Sequence, residues 1–288
     1  MLNAKRRNQL RAILSGQQCV TLATIFDSIS ARIAQDLDYP AGLMGGSIAS
    51  YAVLGAPDLI VLTLTELAEQ VRRCTRVSSV PLLVDADHGY GNALNVIRTI
   101  DEMAHAGAAA TMIEDTLLPR AFGSSRRPQL LPLEEAVGKV KAAVEARKDS
   151  GLVVFGRTSA AAISGIDDAI ARFKAYEAAG VDGLFLPGLR SRDELDRISA
   201  ATTLPLAVGG AAEALCDKDY LASRRVRLLS AGHHTLSVAV KALYDAMKAV
   251  REGTLPARLP NIASEALMGR VTRAGDFEAW TKDFIGEP

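Results

Sequence analysis

His105-Ala106-Gly107 followed by Met112-Ile113-Glu114, and Ala179-Gly180-Val181-Asp182 followed by Leu184-Phe185-Leu186, repeat one unit: a helix closed by glycine, then an apolar run of strand length. Working outward, the same alternation predicts strands near Val20–Ala23, Gly42–Gly45, Leu82–Asp85, Thr111–Glu114, Val153–Arg157, Gly183–Leu186, Leu206–Val208 and Val226–Ser230. Between them the spacing predicts helices near Ser28–Leu37, Leu64–Val77, Asn92–Ala106, Leu133–Arg147, Ile166–Ala179 and Arg192–Ser199, a poorly defined stretch near Ala212–Ala222, and a last helix near Leu236–Arg251, each able to cover one outer face. Eight strands with eight crossovers predict a (β/α)8 TIM barrel, and no Gly-x-Gly-x-x-Gly follows the first strand to favour a doubly wound, dinucleotide-binding sheet. The expected organisation is one barrel domain over 1–288, with 255–288 a C-terminal helical extension. That extension ends in a short helix, Asp276-Phe277-Glu278-Ala279-Trp280, whose aromatics call for burial against the barrel or a neighbouring subunit.

Lys+Arg and Asp+Glu both number 33, so the chain lacks the basic field of a nucleic-acid binder. The short runs Lys5-Arg6-Arg7 and Arg224-Arg225 read as solvated surface. Cys19, Cys74 and Cys216 are too few and too scattered for a disulfide framework or a zinc pair, which fits a reducing, cytoplasmic setting. Ser15-Gly16-Gln17-Gln18 interrupts any apolar leader, and no stretch reaches the ~18 apolar residues of a membrane span.

A barrel of this kind builds its site at the carboxyl ends of its strands, and those ends are polar here. Asp27 follows the first, Gly45-Gly46-Ser47 the second, Asp85-Ala86-Asp87-His88-Gly89-Tyr90-Gly91-Asn92 the third; Glu114-Asp115 ends the fourth, Arg157-Thr158 the fifth, and Gly232-His233-His234 follows the eighth. The i, i+2 spacing of Asp85 and Asp87 places both on one side of an extended strand, beside Glu114. Alone, such carboxylates also serve as loop caps; at strand ends their repulsion favours a hard divalent cation. Mg²⁺ takes few carboxylates directly, so Asp85 is the expected direct ligand, with Asp87 and Glu114 acting through water.

Arg157 closes an apolar strand and needs an anionic partner, either a substrate carboxylate or an ion pair to Glu114 or Asp115. Gly45-Gly46-Ser47 offers close backbone amides and a hydroxyl for a carboxylate oxygen, although a plain tight turn explains it nearly as well. Of His233 and His234, one is expected to hydrogen-bond or protonate a substrate oxygen and the other to pack. His88 and His105 read as structural.

Asp85-Ala86-Asp87-His88-Gly89-Tyr90-Gly91-Asn92, then Ile113-Glu114-Asp115, then Arg157-Thr158 resemble the isocitrate lyase/phosphoenolpyruvate mutase superfamily over nearly the whole chain. Gly45-Gly46-Ser47-Ile48-Ala49-Ser50, Thr116-Leu117-Leu118-Pro119 and Gly232-His233 resemble its oxaloacetate decarboxylase branch. The resemblance implies Mg²⁺, with Mn²⁺ as the alternative, and a homotetramer, a dimer of dimers. By position, Asp85 matches the family's metal ligand, Asp58 a carboxylate near the metal waters, and Ser47, Arg157 and His233 its substrate contacts. The lyases' Lys-Lys-Cys-Gly segment is replaced by Leu117-Leu118-Pro119-Arg120-Ala121-Phe122-Gly123, so no thiol acid stands there for isocitrate or methylisocitrate cleavage. Ser159 replaces the family's Asn, and Gly209-Gly210-Ala211-Ala212 replaces larger residues; both changes predict a roomier pocket.

The expected activity is decarboxylation of oxaloacetate to pyruvate and CO2 through an enolate whose charge the metal stabilises. Two alternatives follow from the same residues: a C–C lyase or C–P bond-cleaving enzyme on another 2-oxo or 2-hydroxy acid, and a catalytically silent barrel that binds a 2-oxo acid. The loop Thr116–Gln129, with Gly123-Ser124-Ser125, reads as a candidate lid.

Overall fold

The computed structural model describes residues 2–286 except 121, 124–126, 149 and 211. All strand pairs are parallel and form one sheet of nine segments. Two of these segments, Val20–Thr21 and Ala23–Thr24, are halves of one stave, β1, which turns between neighbours at Leu22. The first half pairs with the last strand (Val20↔Leu228) and the second with the next (Ala23↔Gly42), so the sheet closes on itself as an eight-staved barrel. The other staves are β2 (Gly42–Met44), β3 (Leu82–Asp85), β4 (Ala110–Glu114), β5 (Val153–Arg157), β6 (Gly183–Pro187), β7 (Leu206–Gly209) and β8 (Val226–Ser230).

Strands this apolar on both faces must be covered on both. Inside, Leu43, Leu83, Met112, Phe155, Phe185 and Leu228 fill the barrel. Outside, Val84, Ile113, Val154, Leu186 and Val208 meet the buried faces of the helices α2 (Ser28–Asp36), α3 (Leu64–Thr75), α4 (Ala93–Ala106), α5 (Leu133–Ala146), α6 (Ile166–Ala179), α7 (Arg192–Ala201) and α8 (Lys218–Ser223). Local chemistry sets their ends. Thr63 and Glu66 form a capping box on α3, and Gly107 and Gly180 close α4 and α6 in left-handed conformation. The poorly defined stretch near 212–222 resolves into a 3-10 turn, Glu213–Leu215, and α8.

Two expectations are corrected below the barrel. A helix over Leu2–Ser15, α1, lies across its amino-terminal end and inserts Leu10 and Leu14 into the barrel interior. Arg6 and Arg7 are therefore not solvated surface. Arg6 donates to the Thr75 and Ser78 carbonyls, and Arg7 to those of Ala104, Ala108 and Ser150. Thr75 and Ala104 lie in the last turns of α3 and α4, where carbonyls lack helical partners and carry partial negative charge. Arg224 and Arg225 are likewise engaged, with Asp196 and with the Ser199 and Thr202 carbonyls.

The last long helix, α9 (His234–Arg251), buries no residue and does not cover an outer face of this chain's barrel. The extension beyond it returns through α10 (Glu265–Thr272) and α11 (Ala274–Trp280), held to α2 by the Arg273–Asp36 ion pair. Phe277 and Trp280 pack edge-to-face on each other but stay about half exposed, so within the chain they are not buried against the barrel.

Candidate active site at the carboxyl ends of the strands

The upper ends of the staves open into a cavity of about 880 Å³ lined by Gly45, Ser47, Asp58, Asp85, Asp87, Glu114, Arg157 and His233. Gly46 sits just behind that wall. Residues spread over the sequence from 45 to 233 thus meet because parallel staves end at one face. Register completes the arrangement. Glu114 pairs with Arg157 across β4 and β5, and Arg157 with Phe185 across β5 and β6.

Asp85 is the last residue of β3, but the chain leaves the strand there, and Asp87 adopts a left-handed φ of 48°. Strand alternation therefore does not explain why Asp87 faces the cavity. The turn does, pinned by Asp87 N–H donating to Asp85 Oδ1 at 3.2 Å and Glu114 N–H donating to the Asp87 carbonyl at 2.9 Å. The turned-back Asp87 carboxylate lies against Gly46, where a Cβ would come within 2.4 Å of Oδ1. Gly46 also points its amide at Asp85 Oδ2, 3.4 Å away, at the start of the helical turn Gly46–Ala49. Gly45 faces His233 instead: a Cβ there would lie 2.6 Å from Nε2. The ring's Nδ1 is buried with no partner among the described residues, and Thr24 Oγ1 holds the preceding turn by donating to the Gly232 carbonyl at 3.2 Å.

The charges do not balance. Four carboxylates and three guanidiniums, those of Arg120, Arg127 and Arg157, line the cavity, and Arg157 is held by two of the carboxylates, 2.5 Å from Asp85 Oδ2 and 3.3 Å from Glu114 Oε2. Burial, then Asp85, Glu114 and Asp58, push the Asp87 carboxyl well above its ordinary range. Burial and Asp85 raise Asp58, and burial raises Glu114 despite Arg157 and a 3.1 Å hydrogen bond from Thr116 Oγ1. Burial alone would weaken Arg157's hold on its proton, but the surrounding carboxylates outweigh that and raise it. Burial lowers His233, leaving a neutral ring that can donate or accept.

Among the described residues, no three His, Cys, Asp or Glu side chains converge tightly enough to cage an ion by themselves. An all-oxygen carboxylate set without such a cage fits a hard divalent cation that keeps most of its water, and Asp85 is the carboxylate whose charge Asp58, Asp87 and Glu114 all feel.

Asp27 is a helix cap rather than a site residue, accepting from Ser30 N–H. His88 is buried away from the cavity, and His105 is exposed on α4, its Nδ1 beside the Asp101 carbonyl. Asp115 turns to Arg172 instead of Arg157. Gly209 and Gly210 line the cavity; Ala211, and residues 121 and 124–126 of the candidate lid, lie outside the described residues. Sequence reasoning missed Phe185, whose ring centroid is 5.8 Å from the Arg157 guanidinium; Leu117 and Gln129, within the loop read as a candidate lid, line the cavity. Phe185 had a signal, since it is the β6 residue level with Arg157.

Barrel, acidic turn and strand-end arginine define a class: the chain belongs to the phosphoenolpyruvate phosphomutase family, whose profile matches residues 10–251. It is 62% identical over 280 residues, 97% of this chain and 94% of the relative, to the oxaloacetate decarboxylase of Paraburkholderia xenovorans (strain LB400). It is 53% identical over 281 residues, 98% of this chain and 97% of the relative, to that of Bradyrhizobium sp. (strain ORS 278). Among solved structures, the complex of phosphonopyruvate hydrolase with oxalate and Mg²⁺ superposes with a TM-score of 0.84 at 26% identity, covering 97% of this chain and 99% of that one.

Proposed function

We propose that this protein decarboxylates oxaloacetate to pyruvate and CO2. The observation that carries the reading is the pairing of a net-acidic strand-end cluster with Arg157 and the Gly45–Ser47 turn in one cavity, in a chain 62% identical to an oxaloacetate decarboxylase. Asp85 would hold Mg²⁺ directly, with Asp58, Asp87 and Glu114 acting through its water shell; Mn²⁺ suits the same oxygen donors. Bound there, the cation supplies Lewis-acid stabilisation for charge that develops on the substrate's C2 oxygen, worth several kcal/mol.

The chain's own residues supply the rest. Ser47, the Gly45–Gly46 amides and Arg157 take the C1 carboxylate and fix the C2 carbonyl plane. The C3–C4 bond breaks, its electron pair stays on C3–C2, and CO2 leaves; neutral His233 donates a hydrogen bond to the oxygen that gains charge. A proton added at C3 completes pyruvate. Leu117, Pro119 and Gln129, all exposed, form the loop side of the cavity.

For assembly, we infer a homotetramer, a dimer of dimers. Supporting it, α9 displays Val240, Leu243, Tyr244, Met247 and Val250 along one exposed stripe, an apolar face that a second copy would cover. The whole chain acts as one barrel unit, with 255–288 assigned to subunit contact. No described helix is long and apolar enough to cross a membrane, and the three cysteines are free, which supports a cytoplasmic location.

The test is pyruvate release from oxaloacetate with Mg²⁺, corrected for the cation's own background, on wild type and Asp85→Ala. Turnover in the wild type that falls about a thousand-fold or more, ~4 kcal/mol, in the variant is the expected result. Wild-type turnover at background rejects the activity.

A further inference from the structure

On α6 the buried face reads Ala169, Arg172, Phe173, Tyr176, so an arginine occupies an otherwise core-like stripe. Its partner is Asp115, the residue after Glu114. Arg172 Nη1 donates to Asp115 Oδ2 at 3.0 Å and Tyr176 Oη donates to the same oxygen at 2.6 Å. All three side chains are buried, with Asp115 2%, Arg172 7% and Tyr176 0% exposed. None of them lines the cavity.

What the cluster grips is the loop that does. The loop leaves β4 at Asp115 and returns at Leu131, and its feet are zipped together. Leu131 N–H donates to the Asp115 carbonyl at 2.8 Å, Leu117 N–H to the Gln129 carbonyl at 2.8 Å, and Thr116 bridges Leu130. Arg172 Nη1 also donates to the Leu131 carbonyl at 3.1 Å, so one guanidinium holds the outgoing foot by its side chain and the returning foot by its backbone. Arg172 Nε is fixed in turn by Asp168, 3.0 Å away. The Tyr176 ring lies against β5 where a Cβ on Gly156 would come within 2.8 Å, immediately before Arg157.

We propose that Asp115, Arg172 and Tyr176 form a buried clamp that positions Glu114, Thr116 and the loop wall for binding of the oxo acid and its cation. The clamp acts through its neighbours, and its members are positioning residues. Its kinetic consequence rests on the proposed decarboxylase activity; its structural consequence does not. A guanidinium that reaches Asp168 through Nε while Nη1 bonds Asp115 and the Leu131 carbonyl cannot be reproduced by a single ammonium, and the tyrosine hydroxyl can be deleted without changing charge or volume much.

The experiment compares wild type with Tyr176→Phe and Arg172→Lys by amide hydrogen exchange and by calorimetric titration of oxalate with Mg²⁺ present. Exchange at the Leu117 and Leu131 amides is expected to rise about tenfold or more while Val208 on β7 and Leu229 on β8 are unchanged, and oxalate is expected to bind about fivefold or more weakly. In the decarboxylation assay, KM should rise more than kcat falls. Exchange at the two feet equal to wild type, or raised equally on β7 and β8, overturns the clamp. Loosened feet with unaltered oxalate affinity overturn its positioning role. If wild type proves inactive on oxaloacetate, the exchange and oxalate results still decide this inference.

Discussion

Arg157 Nη1 and Asp85 Oδ2 lie 2.5 Å apart, so the residue proposed to receive the substrate carboxylate is engaged by the residue proposed to bind the cation. A cation held by Asp85 would compete with the guanidinium for this carboxylate and would leave Arg157 free for the substrate. At an effective dielectric near 20 two unit charges ~4 Å apart interact by ~4 kcal/mol and a divalent cation doubles that, so removing the guanidinium favours the cation by more than the ~1.4 kcal/mol of a tenfold change. Arg157→Gln is expected to bind Mg²⁺ about tenfold or more tightly in calorimetry without substrate, yet to bind oxalate more weakly. Weaker Mg²⁺ binding in the variant would contradict the competition.

The two glycines of the second turn face different partners, and their alanine variants should fail differently. Gly46→Ala presses a methyl on Asp87 Oδ1, and Gly45→Ala presses one on His233 Nε2. The first is expected to weaken Mg²⁺ binding about tenfold; the second should leave Mg²⁺ binding within about twofold and lower kcat/KM about tenfold or more, ~1.4 kcal/mol. Calorimetry and steady-state kinetics on both variants separate the two losses.

The acidic cluster makes cation binding a stability effect with a definite sign. Asp58, Asp87 and Glu114 titrate above their ordinary values of 3.8, 3.8 and 4.5. Carboxyls raised in this way favour the fold fully below those ordinary values, and that advantage is lost as pH rises through the folded values. Mg²⁺ relieves the same repulsion at neutral pH. The rise in Tm caused by saturating Mg²⁺, read by scanning calorimetry, should therefore be several degrees at pH 7.5 and smaller at pH 5; an equal rise at both would refute the electrostatic account.

His88 works in the opposite direction. Burial, with Lys139 nearby, lowers it from 6.5 to about 4, and its Nδ1 has no partner among the described residues. The neutral ring contributes stability present above pH 6.5 and lost as pH falls toward 4, up to roughly 3 kcal/mol. His88→Phe should flatten that acid limb in urea unfolding curves measured between the two values.

At the base of the barrel, Arg7→Ala should cost ~2–3 kcal/mol of stability by stripping donors from the Ala104, Ala108 and Ser150 carbonyls. KM for oxaloacetate should stay within about twofold, because the cavity opens at the other end. A large KM change at unaltered Tm would place Arg7 in the site's machinery.

The sequence by itself determined the barrel and most of the acidic site. Helix ends such as the Thr63–Glu66 box and Gly107 are local hydrogen-bond chemistry, and a parallel stave buried on both faces announces itself as an apolar run. Because every stave delivers its carboxyl end to one face, Asp85, Glu114, Arg157 and His233 could be brought together from their places in the alternation alone. Only the tertiary structure decided which charges meet. Arg6 and Arg7 look like surface until α1 is laid beneath the barrel, and Arg157 and Arg172 each end beside carboxylates that no spacing rule selects between. It also decided that α9 leaves its own barrel, with its apolar stripe turned outward. Such outcomes depend on contacts between residues far apart in the chain, whose partners are set by packing and register rather than by local periodicity.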